Sequence, residues 1–230
     1  MSETTVNQEN GLRTAKLNVP GGKDFFTQEA YKSLRTNLQF CGNDKHVIFI
    51  TSALENEGKT TVTIQLAKSF AELGKRVLVL DADMRKSVMA RRNAATADYT
   101  GLSEVLTGLK TFEECVYSAE KDKVHLLFAG KYPPNPVELL SNPTFSNLIE
   151  TLRQSYDYIL IDTPPLGAVI DAAVIATCCD GGLLVLSENS HYKQALRIID
   201  QVNKSGCKLL GVVRNRVQHN RKSAYYKKRK

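Results

Sequence analysis

The sequence predicts an α/β protein in which one mainly parallel sheet carries helices on both faces. Short apolar runs alternate along the chain with segments whose apolar residues recur at helical spacing, as in strands joined by crossover helices. The runs are apolar at nearly every position, which is typical of strands buried on both faces. Ligands of such sheets bind at the carboxyl ends of the strands. We therefore expect a three-layer sandwich whose functional residues follow the strands.

The elements follow one another at regular spacing. Candidate strands are His46–Ser52, Arg76–Ala82, Val124–Ala129, Tyr158–Asp162, Gly182–Ser187 and Lys208–Val213. Candidate helices are Thr27–Phe40, Lys59–Leu73, Leu102–Thr107, Thr144–Ser155, Ile170–Cys178 and Tyr192–Lys204. A polar leading segment ends near Pro20-Gly21-Gly22, a turn-forming sequence. We expect a flexible N-terminal segment at residues 1–24, one folded domain at 25–213 and a basic tail at 214–230.

The composition is that of an ordinary globular protein. The 230 residues suffice for one domain with a large core, and 42% are hydrophobic while 24% are charged. The chain has no apolar run near the roughly 18 residues of a membrane span, and its N-terminus lacks the apolar core of a signal peptide. These features predict a cytoplasmic protein. The five cysteines show no C-x-x-C spacing and the four histidines form no ligand pair, so we expect buried free thiols.

The positive charge is concentrated at the C-terminus. Residues 214–230 contain eight lysines and arginines and no acid, whereas the whole chain has a net charge of +7. Such a tail is a solvated, disordered segment, or it is attracted to anionic lipid or another polyanion. Nothing else in the chain resembles a module that reads nucleic-acid bases, so we expect no nucleic-acid partner.

A phosphate-binding loop follows the first candidate strand. Residues 53–61 match the pattern G-x-x-x-x-G-K-[ST], with Ala53 at the first glycine position and Gly58, Lys59 and Thr60 completing it. The glycine lets backbone N–H groups turn toward phosphate oxygens, the lysine adds a positive charge, and the threonine hydroxyl is placed to hold Mg²⁺. The motif, between a strand and a helix, predicts a P-loop NTPase-like fold.

The surroundings of the loop support this interpretation. Residues 61–73 are apolar at helical spacing, so the positive end of a helix dipole would point at the phosphates. Asn56 is one of the few residue types that tolerate a positive φ, and we expect a left-handed backbone there.

Acidic residues end two further strands. Asp81 and Asp83 follow the second candidate strand, and Asp162 ends the fourth. In one parallel sheet these carboxylates would converge on the nucleotide, and Mg²⁺ needs only one or two of them. Residues two apart on a strand face the same side, so one of the first two acids can face the metal while the other accepts a proton from an attacking hydroxyl.

Three motifs together resemble the bacterial tyrosine kinase family, the P-loop kinases of capsule and exopolysaccharide operons. They are Glu57-Gly58-Lys59-Thr60, Asp81-Ala82-Asp83-Met84-Arg85 and Asp162-Thr163-Pro164-Pro165. The resemblance extends from about residue 28 to residue 213. It implies an ATP-dependent protein-tyrosine kinase that phosphorylates itself and regulates polysaccharide synthesis and export.

The resemblance also implies roles for individual residues. ATP would be bound by the loop residues Glu57, Gly58, Lys59, Thr60 and Thr61. Mg²⁺ would be held by Thr60, Asp83 and Asp162. The catalytic set that the resemblance implies is Lys59, Asp81, Asp83 and Arg85. Asp81 would orient or deprotonate the incoming tyrosine hydroxyl. Arg85 would fix the phosphates or the segment Asp81-Ala82-Asp83-Met84-Arg85, which we call the acidic segment.

The partners that the resemblance implies are a separately encoded transmembrane activator, further copies of the chain in a ring, and a cognate phosphotyrosine phosphatase. The kinase would be recruited from the cytoplasm to the inner face of the membrane by the activator. The helix segment that begins at Glu29 resembles the family's E-x-x-R-x-x-R assembly motif, with Lys32 at the first arginine and Arg35 at the second. The expected phosphoacceptors are Tyr225 and Tyr226.

Two other interpretations remain open at this point. A partition or septum-positioning ATPase shares the broad fold, but that class carries an extra lysine near the start of the loop, where this chain has Ala53 and Leu54. Its strand-end acids are typically followed by Pro-Gln, where this chain has Met84 and Arg85. The third interpretation is a non-catalytic adaptor that binds ATP only to assemble.

Overall fold

The computed structural model describes residues 12–18, 24–93, 99–120, 123–188 and 190–217. Within these ranges, eight strands form one sheet: β1 (Arg13–Thr14), β2 (Val47–Ser52), β3 (Val77–Asp81), β4 (Val116–Ala119), β5 (Val124–Leu127), β6 (Tyr158–Asp162), β7 (Gly181–Ser187) and β8 (Leu209–Asn215). Their order across the sheet is β1-β4-β5-β3-β6-β2-β7-β8. All neighbours are parallel except β4 and β5, so the predicted, mainly parallel sheet is confirmed.

Helices cover both faces of the sheet. In chain order they are α1 (Phe25–Phe40), α2 (Lys59–Ala71), α3 (Met89–Asn93), α4 (Leu102–Leu106), α5 (Phe112–Cys115), α6 (Pro136–Ser141), α7 (Pro143–Arg153), α8 (Asp171–Ala176) and α9 (Tyr192–Lys204). Helices α1 to α3 pack on one face, and α4 to α9 pack on the other. In the part of the chain described here, no helix has both the length and the apolar character needed to cross a membrane.

Alternation along the central strands divides the core into two layers. Phe49, Leu80 and Ile161 point to the face of α7 and α9 and are fully buried. Ile50 and Val79, one position along, point to the face of α2 and are also fully buried. Since both faces are apolar, the strands carry almost no polar residue until they end, and this places the first polar side chains at one edge of the sheet.

The structure adds two strands that the sequence did not predict. Strand β4 pairs antiparallel with β5, and β1 pairs parallel with β4. The expectation of a flexible segment over residues 1–24 is therefore wrong for β1. Arg13 lies 4.8 Å from the ring centroid of Tyr117 and donates a 3.1 Å hydrogen bond to its hydroxyl, and Ala15 is buried. These contacts span about a hundred residues of sequence, so local patterns could not reveal them.

The other predicted boundaries changed only slightly. The last strand runs to Asn215, two residues beyond the predicted domain end at 213. The rest of the domain division stays a prediction.

The cysteines differ in their exposure. Cys115 and Cys207 are buried and Cys178 and Cys179 are half-buried, whereas Cys41 is exposed. All five are free thiols, but the expectation of burial is wrong for Cys41 because it lies at the exposed end of α1.

The charged residues of α1 find their partners within the chain. Lys32 Nζ lies 2.9 Å from Glu29 Oε1. Buried Arg35 donates hydrogen bonds to the main-chain oxygen and the hydroxyl of Ser69 on α2, the latter at 3.1 Å. The segment that resembles an assembly motif therefore ties α1 to the helix that follows the phosphate loop.

Candidate active site

The loop between β2 and α2 has the backbone that its sequence predicts. Gly58 has a φ of 98° and Asn56 a φ of 62°, so the expected left-handed residue is confirmed. A Cβ atom on Gly58 would clash with Asn215 Nδ2. That amide donates a 2.9 Å hydrogen bond to the main-chain oxygen of Glu57. The end of β8 thus fixes the loop, and only glycine fits at position 58.

The side chain of Glu57 holds the loop from inside. It is 2% exposed, and its Oε2 accepts a 2.8 Å hydrogen bond from the N–H of Leu54. Its Oε1 accepts hydrogen bonds from the hydroxyl of Ser190 and, at 3.4 Å, from the N–H of Ser187. The predicted contact of Glu57 with nucleotide can therefore involve only its main chain.

A cavity of about 380 Å³ opens at the carboxyl ends of β2, β3 and β6. It is lined by residues of the loop and the start of α2, by the acidic segment, by a Pro-Pro turn and by the end of β8. The residues with predicted roles that line it are Gly58, Lys59, Thr60, Thr61, Asp83 and Arg85. The structure therefore brings most of the predicted site together around one cavity.

Two carboxylates lie side by side beneath this cavity. Asp81 and Asp162 face each other in the register of β3 and β6, and they are 1% and 2% exposed. The Thr60 hydroxyl donates a 2.5 Å hydrogen bond to Asp162 Oδ2, whereas Asp162 Oδ1 has no hydrogen-bond partner among the described residues. Burial raises the pKa of Asp162 to about 6, although Lys59 and the Thr60 hydroxyl act to lower it.

Asp81 is closed off from the cavity by its own loop. Its Oδ1 accepts a 3.1 Å hydrogen bond from the N–H of Asp83, and its Oδ2 accepts one from the Ser87 hydroxyl. Burial and the neighbouring Asp162 raise the pKa of Asp81 well above its usual value. Both oxygens of Asp81 therefore accept hydrogen bonds from the turn that follows β3.

Arg85 anchors the acidic segment to the opposite wall. It makes a bidentate pair with Asp171, with Nε–Oδ2 at 2.8 Å and Nη2–Oδ1 at 3.1 Å. Asp171 is fully buried at the start of α8. Removing Arg85 would leave the buried carboxylate of Asp171 without this counter-charge, so the pair is costly to break. Sequence reasoning missed Asp171 because an acid in the first turn of a helix looks like an ordinary capping residue.

The oxygen atoms at this site suit a magnesium ion. The Thr60 hydroxyl, the unpartnered Asp162 Oδ1 and the carboxylate of Asp83 are hard donors of the kind that Mg²⁺ prefers. No group of three or more His, Cys, Asp or Glu side chains has metal-binding geometry in the described ranges. This is compatible with Mg²⁺, which commonly keeps several water ligands and shares the rest with phosphate oxygens.

Comparison with known proteins identifies the family. A protein-family model described as an AAA domain matches residues 46–205. The chain is 39% identical to the tyrosine-protein kinase CpsD of Streptococcus agalactiae over 192 residues, which cover 83% of this chain and 84% of CpsD. The chain belongs to the bacterial tyrosine-protein kinase family. The kinase domain of the Escherichia coli tyrosine kinase ETK matches this kinase with a TM-score of 0.81 at 27% identity, covering 97% of this chain and 96% of that domain.

The septum-positioning alternative is the weaker match. The septum site-determining protein MinD of Pyrococcus horikoshii, solved with Mg-ADP, matches this kinase with a TM-score of 0.62 at 27% identity over 73% of this chain and 68% of MinD. The kinase also has Ala53 and Leu54 at the start of the loop, where a lysine is expected for that class. The predicted family, fold and enzyme class are thus confirmed: the chain is a protein-tyrosine kinase. The expected acceptors, Tyr225 and Tyr226, lie outside the described residues.

Replacing Asp162 with asparagine is expected to stabilise the metal-free protein at neutral pH. Because the folded-state pKa is about 6 and the ordinary value is 3.8, the folded protein binds the extra proton between these values. Wild-type stability is therefore lost as pH rises through this window, by up to about 3 kcal/mol. In urea titrations with EDTA, D162N should be more stable than the wild type at pH 7.5 and equal to it below about pH 4.

Asp157 provides the matched control. Its pKa is lowered, because hydrogen bonds from the N–H of Arg76 and from Lys75 outweigh partial burial. D157N should therefore be no more stable than the wild type at pH 7.5. If D162N is less stable than the wild type at pH 7.5, the charged carboxylate of Asp162 does not destabilise the folded protein, and the prediction is wrong.

Proposed function

We propose that this kinase binds ATP and Mg²⁺ at the carboxyl ends of β2, β3 and β6 and transfers the γ-phosphoryl group to tyrosine. The observation that carries the proposal is the environment of Asp162. One of its oxygens accepts a hydrogen bond from Thr60, the other has no partner among the described residues, and its pKa is raised by burial. A buried carboxylate in this state is stabilised by a cation, and it lies beside a loop built for phosphate.

The nucleotide would be held mainly by the loop and the start of α2. The first N–H groups of α2 have no partner within the helix, and they point toward the cavity with the positive end of the helix dipole. Lys59 is 9% exposed and directs its charge into the cavity. Thr60, Asp83 and Asp162 would hold Mg²⁺, which when bound neutralises charge on the phosphates.

The acceptor tyrosine would approach the acidic segment. Asp83 lines the cavity, whereas Asp81 is covered by the Ser87 hydroxyl. Because Asp81 is 1% exposed, the turn over residues 82–88 has to open before a phenol can reach its carboxylate, and the phenol would then take the place of the Ser87 hydroxyl on Oδ2. Because a phenol has a pKa near 10, a carboxylate acts on it first by orientation and second as a proton acceptor. Arg85, fixed on Asp171, keeps this segment against the cavity during the exchange.

The cellular role that we propose is regulation of capsular or exopolysaccharide synthesis and export. The kinase would act at the inner face of the membrane, activated by a separate transmembrane protein and reversed by a cognate phosphotyrosine phosphatase. Similarity to CpsD over most of both chains supports this assignment. A ring of subunits built through α1 would have to exchange the contacts that Glu29, Lys32 and Arg35 make within the chain.

Substitutions at the acidic segment should separate nucleotide binding from transfer. D81N should lower transfer of labelled phosphate from ATP by about 100-fold or more while nucleotide binding is kept, because general acid–base and orienting groups contribute on this scale. K59M should lose both. S87A is the matched control, since it frees Asp81 Oδ2 without removing the carboxylate, and it should keep or increase transfer.

This experiment uses the full chain with ATP, Mg²⁺ and the membrane activator, with detection by anti-phosphotyrosine antibody. If the wild type gives no phosphotyrosine, the kinase proposal fails. If S87A loses as much activity as D81N, Ser87 is part of the catalytic arrangement and does not merely occupy the acceptor position.

The acceptors can be located by substitution in the tail. Replacing Tyr225 and Tyr226 together with phenylalanine should remove most self-phosphorylation, as measured by mass spectrometry of tryptic peptides. Tyr192 is the matched control because its side chain is 76% exposed on α9 and has no part in the proposal. Y192F should leave the labelling unchanged. Persistent labelling of the double variant, for instance at Tyr99 or Tyr132, would place the acceptors elsewhere.

A further inference from the structure

A group of three thiols lies at the edge of the sheet opposite the cavity. Cys178 and Cys179 connect α8 to the start of β7, and Cys207 precedes β8. We call these three residues the thiol cluster. The cavity lies at the carboxyl ends of the strands, whereas the thiol cluster lies at their amino ends, so the two sites do not share residues.

The sulfur atoms of the two adjacent cysteines converge. Cys178 Sγ lies 3.1 Å and Cys179 Sγ lies 3.2 Å from the same carbonyl oxygen, that of Ile175. Cys207 approaches main chain only, with its Sγ 3.5 Å from the oxygen of Cys179. Of the three possible pairs, the structure therefore brings Cys178 and Cys179 together most directly.

The two thiols differ in their surroundings. The neighbouring Cys179 thiol and the positive charge of Arg153 lower the pKa of Cys178. Burial raises the pKa of Cys179. Cys178 and Cys179 are half-buried and Cys207 is buried, so within the cluster the adjacent pair is the more accessible to a small oxidant. When a cysteine that ionises readily lies beside one that stays protonated, the first sulfur can attack the oxidant and the second can then attack the resulting sulfenic acid to form a disulfide.

We propose that Cys178 and Cys179 form a reversible oxidation site for small hydroperoxides. The Cys178 thiolate attacks one oxygen of the O–O bond, takes up that oxygen as a sulfenic acid, and releases the other as water once it is protonated. The Cys179 sulfur then attacks the sulfenic sulfur and a second water leaves. In sum, two thiols and one hydrogen peroxide give one disulfide and two waters, and a dithiol reductant reverses the change.

A disulfide between Cys178 and Cys179 would disturb the hydrogen bonds that hold the start of β2. The next residue, Asp180, accepts hydrogen bonds from the N–H groups of His46 and Val47 at 2.8 Å and 2.7 Å, and it pairs with Arg153 at 2.7 Å. A disulfide between adjacent residues closes a small ring that includes their peptide bond, so the backbone that leads into Asp180 must change. We therefore expect the melting temperature of the oxidised protein to fall.

The sequence allows a clean test by peptide mapping. Trypsin should release residues 154–193 as one peptide that contains both adjacent cysteines, while Cys207 falls in residues 205–208 and Cys41 in residues 36–45. The full-length protein is treated with limiting hydrogen peroxide, unfolded and alkylated. We expect peptide 154–193 to lose about 2 Da and both alkylation sites together, and to regain them with dithiothreitol.

Exposed Cys41 is the internal reference. Oxidation of peptide 154–193 should be about tenfold faster, or more, than oxidation of Cys41 in peptide 36–45. C178S should abolish the mass loss, C179S should leave a dimedone-reactive Cys178, and C41S and C207S should change nothing. Circular dichroism confirms that each variant is folded. The proposal is overturned if peptide 154–193 reacts no faster than Cys41, or if its only disulfide is a cross-link to peptide 205–208.

Discussion

Two carboxylates lie buried side by side at the ends of adjacent strands, and the groups around the nucleotide site are arranged about them. Asp81 and Asp162 are paired in the register of β3 and β6, with apolar core layers on either side. Two negative charges this close in a buried site repel each other and lose hydration, so their charged forms are disfavoured. The surrounding groups compensate for the pair in part, and we propose that a bound cation completes the compensation.

The groups that compensate come from three separate parts of the chain. Thr60 donates from the start of α2, Lys59 brings a positive charge, Ser87 and the N–H of Asp83 close over Asp81, and Arg85 ties that segment to Asp171. The order of the sheet explains why they meet, since β2, β3 and β6 are neighbours and all end at one edge. The same order leaves the thiol cluster at the opposite edge, where it is chemically independent of the nucleotide site.

Much of this arrangement follows from sequence, because it rests on local patterns. The alternation of apolar runs predicts the central strands, and the loop pattern predicts the left-handed Asn56. What the sequence does not reveal are pairings over long separations. Strand β4 is short and pairs antiparallel, β1 has only two residues, and Asn215 and Asp171 act on the loop and on Arg85 from 158 and 86 positions away. No local periodicity records such contacts.

We claim that the buried carboxylate of Asp162 binds a cation, and carboxyl carbon NMR of labelled aspartate measures the ionisation on which this claim depends. In the metal-free protein Asp162 should titrate near pH 6, a signal absent in D162N, and Asp81 should also titrate above its ordinary range. Adding Mg²⁺ and ADP should remove that titration from the accessible range, since the bound cation favours the charged form. If every aspartate of the metal-free protein titrates below about pH 4.5, or if Mg²⁺ and ADP leave the titration near pH 6 unchanged, the claim is wrong.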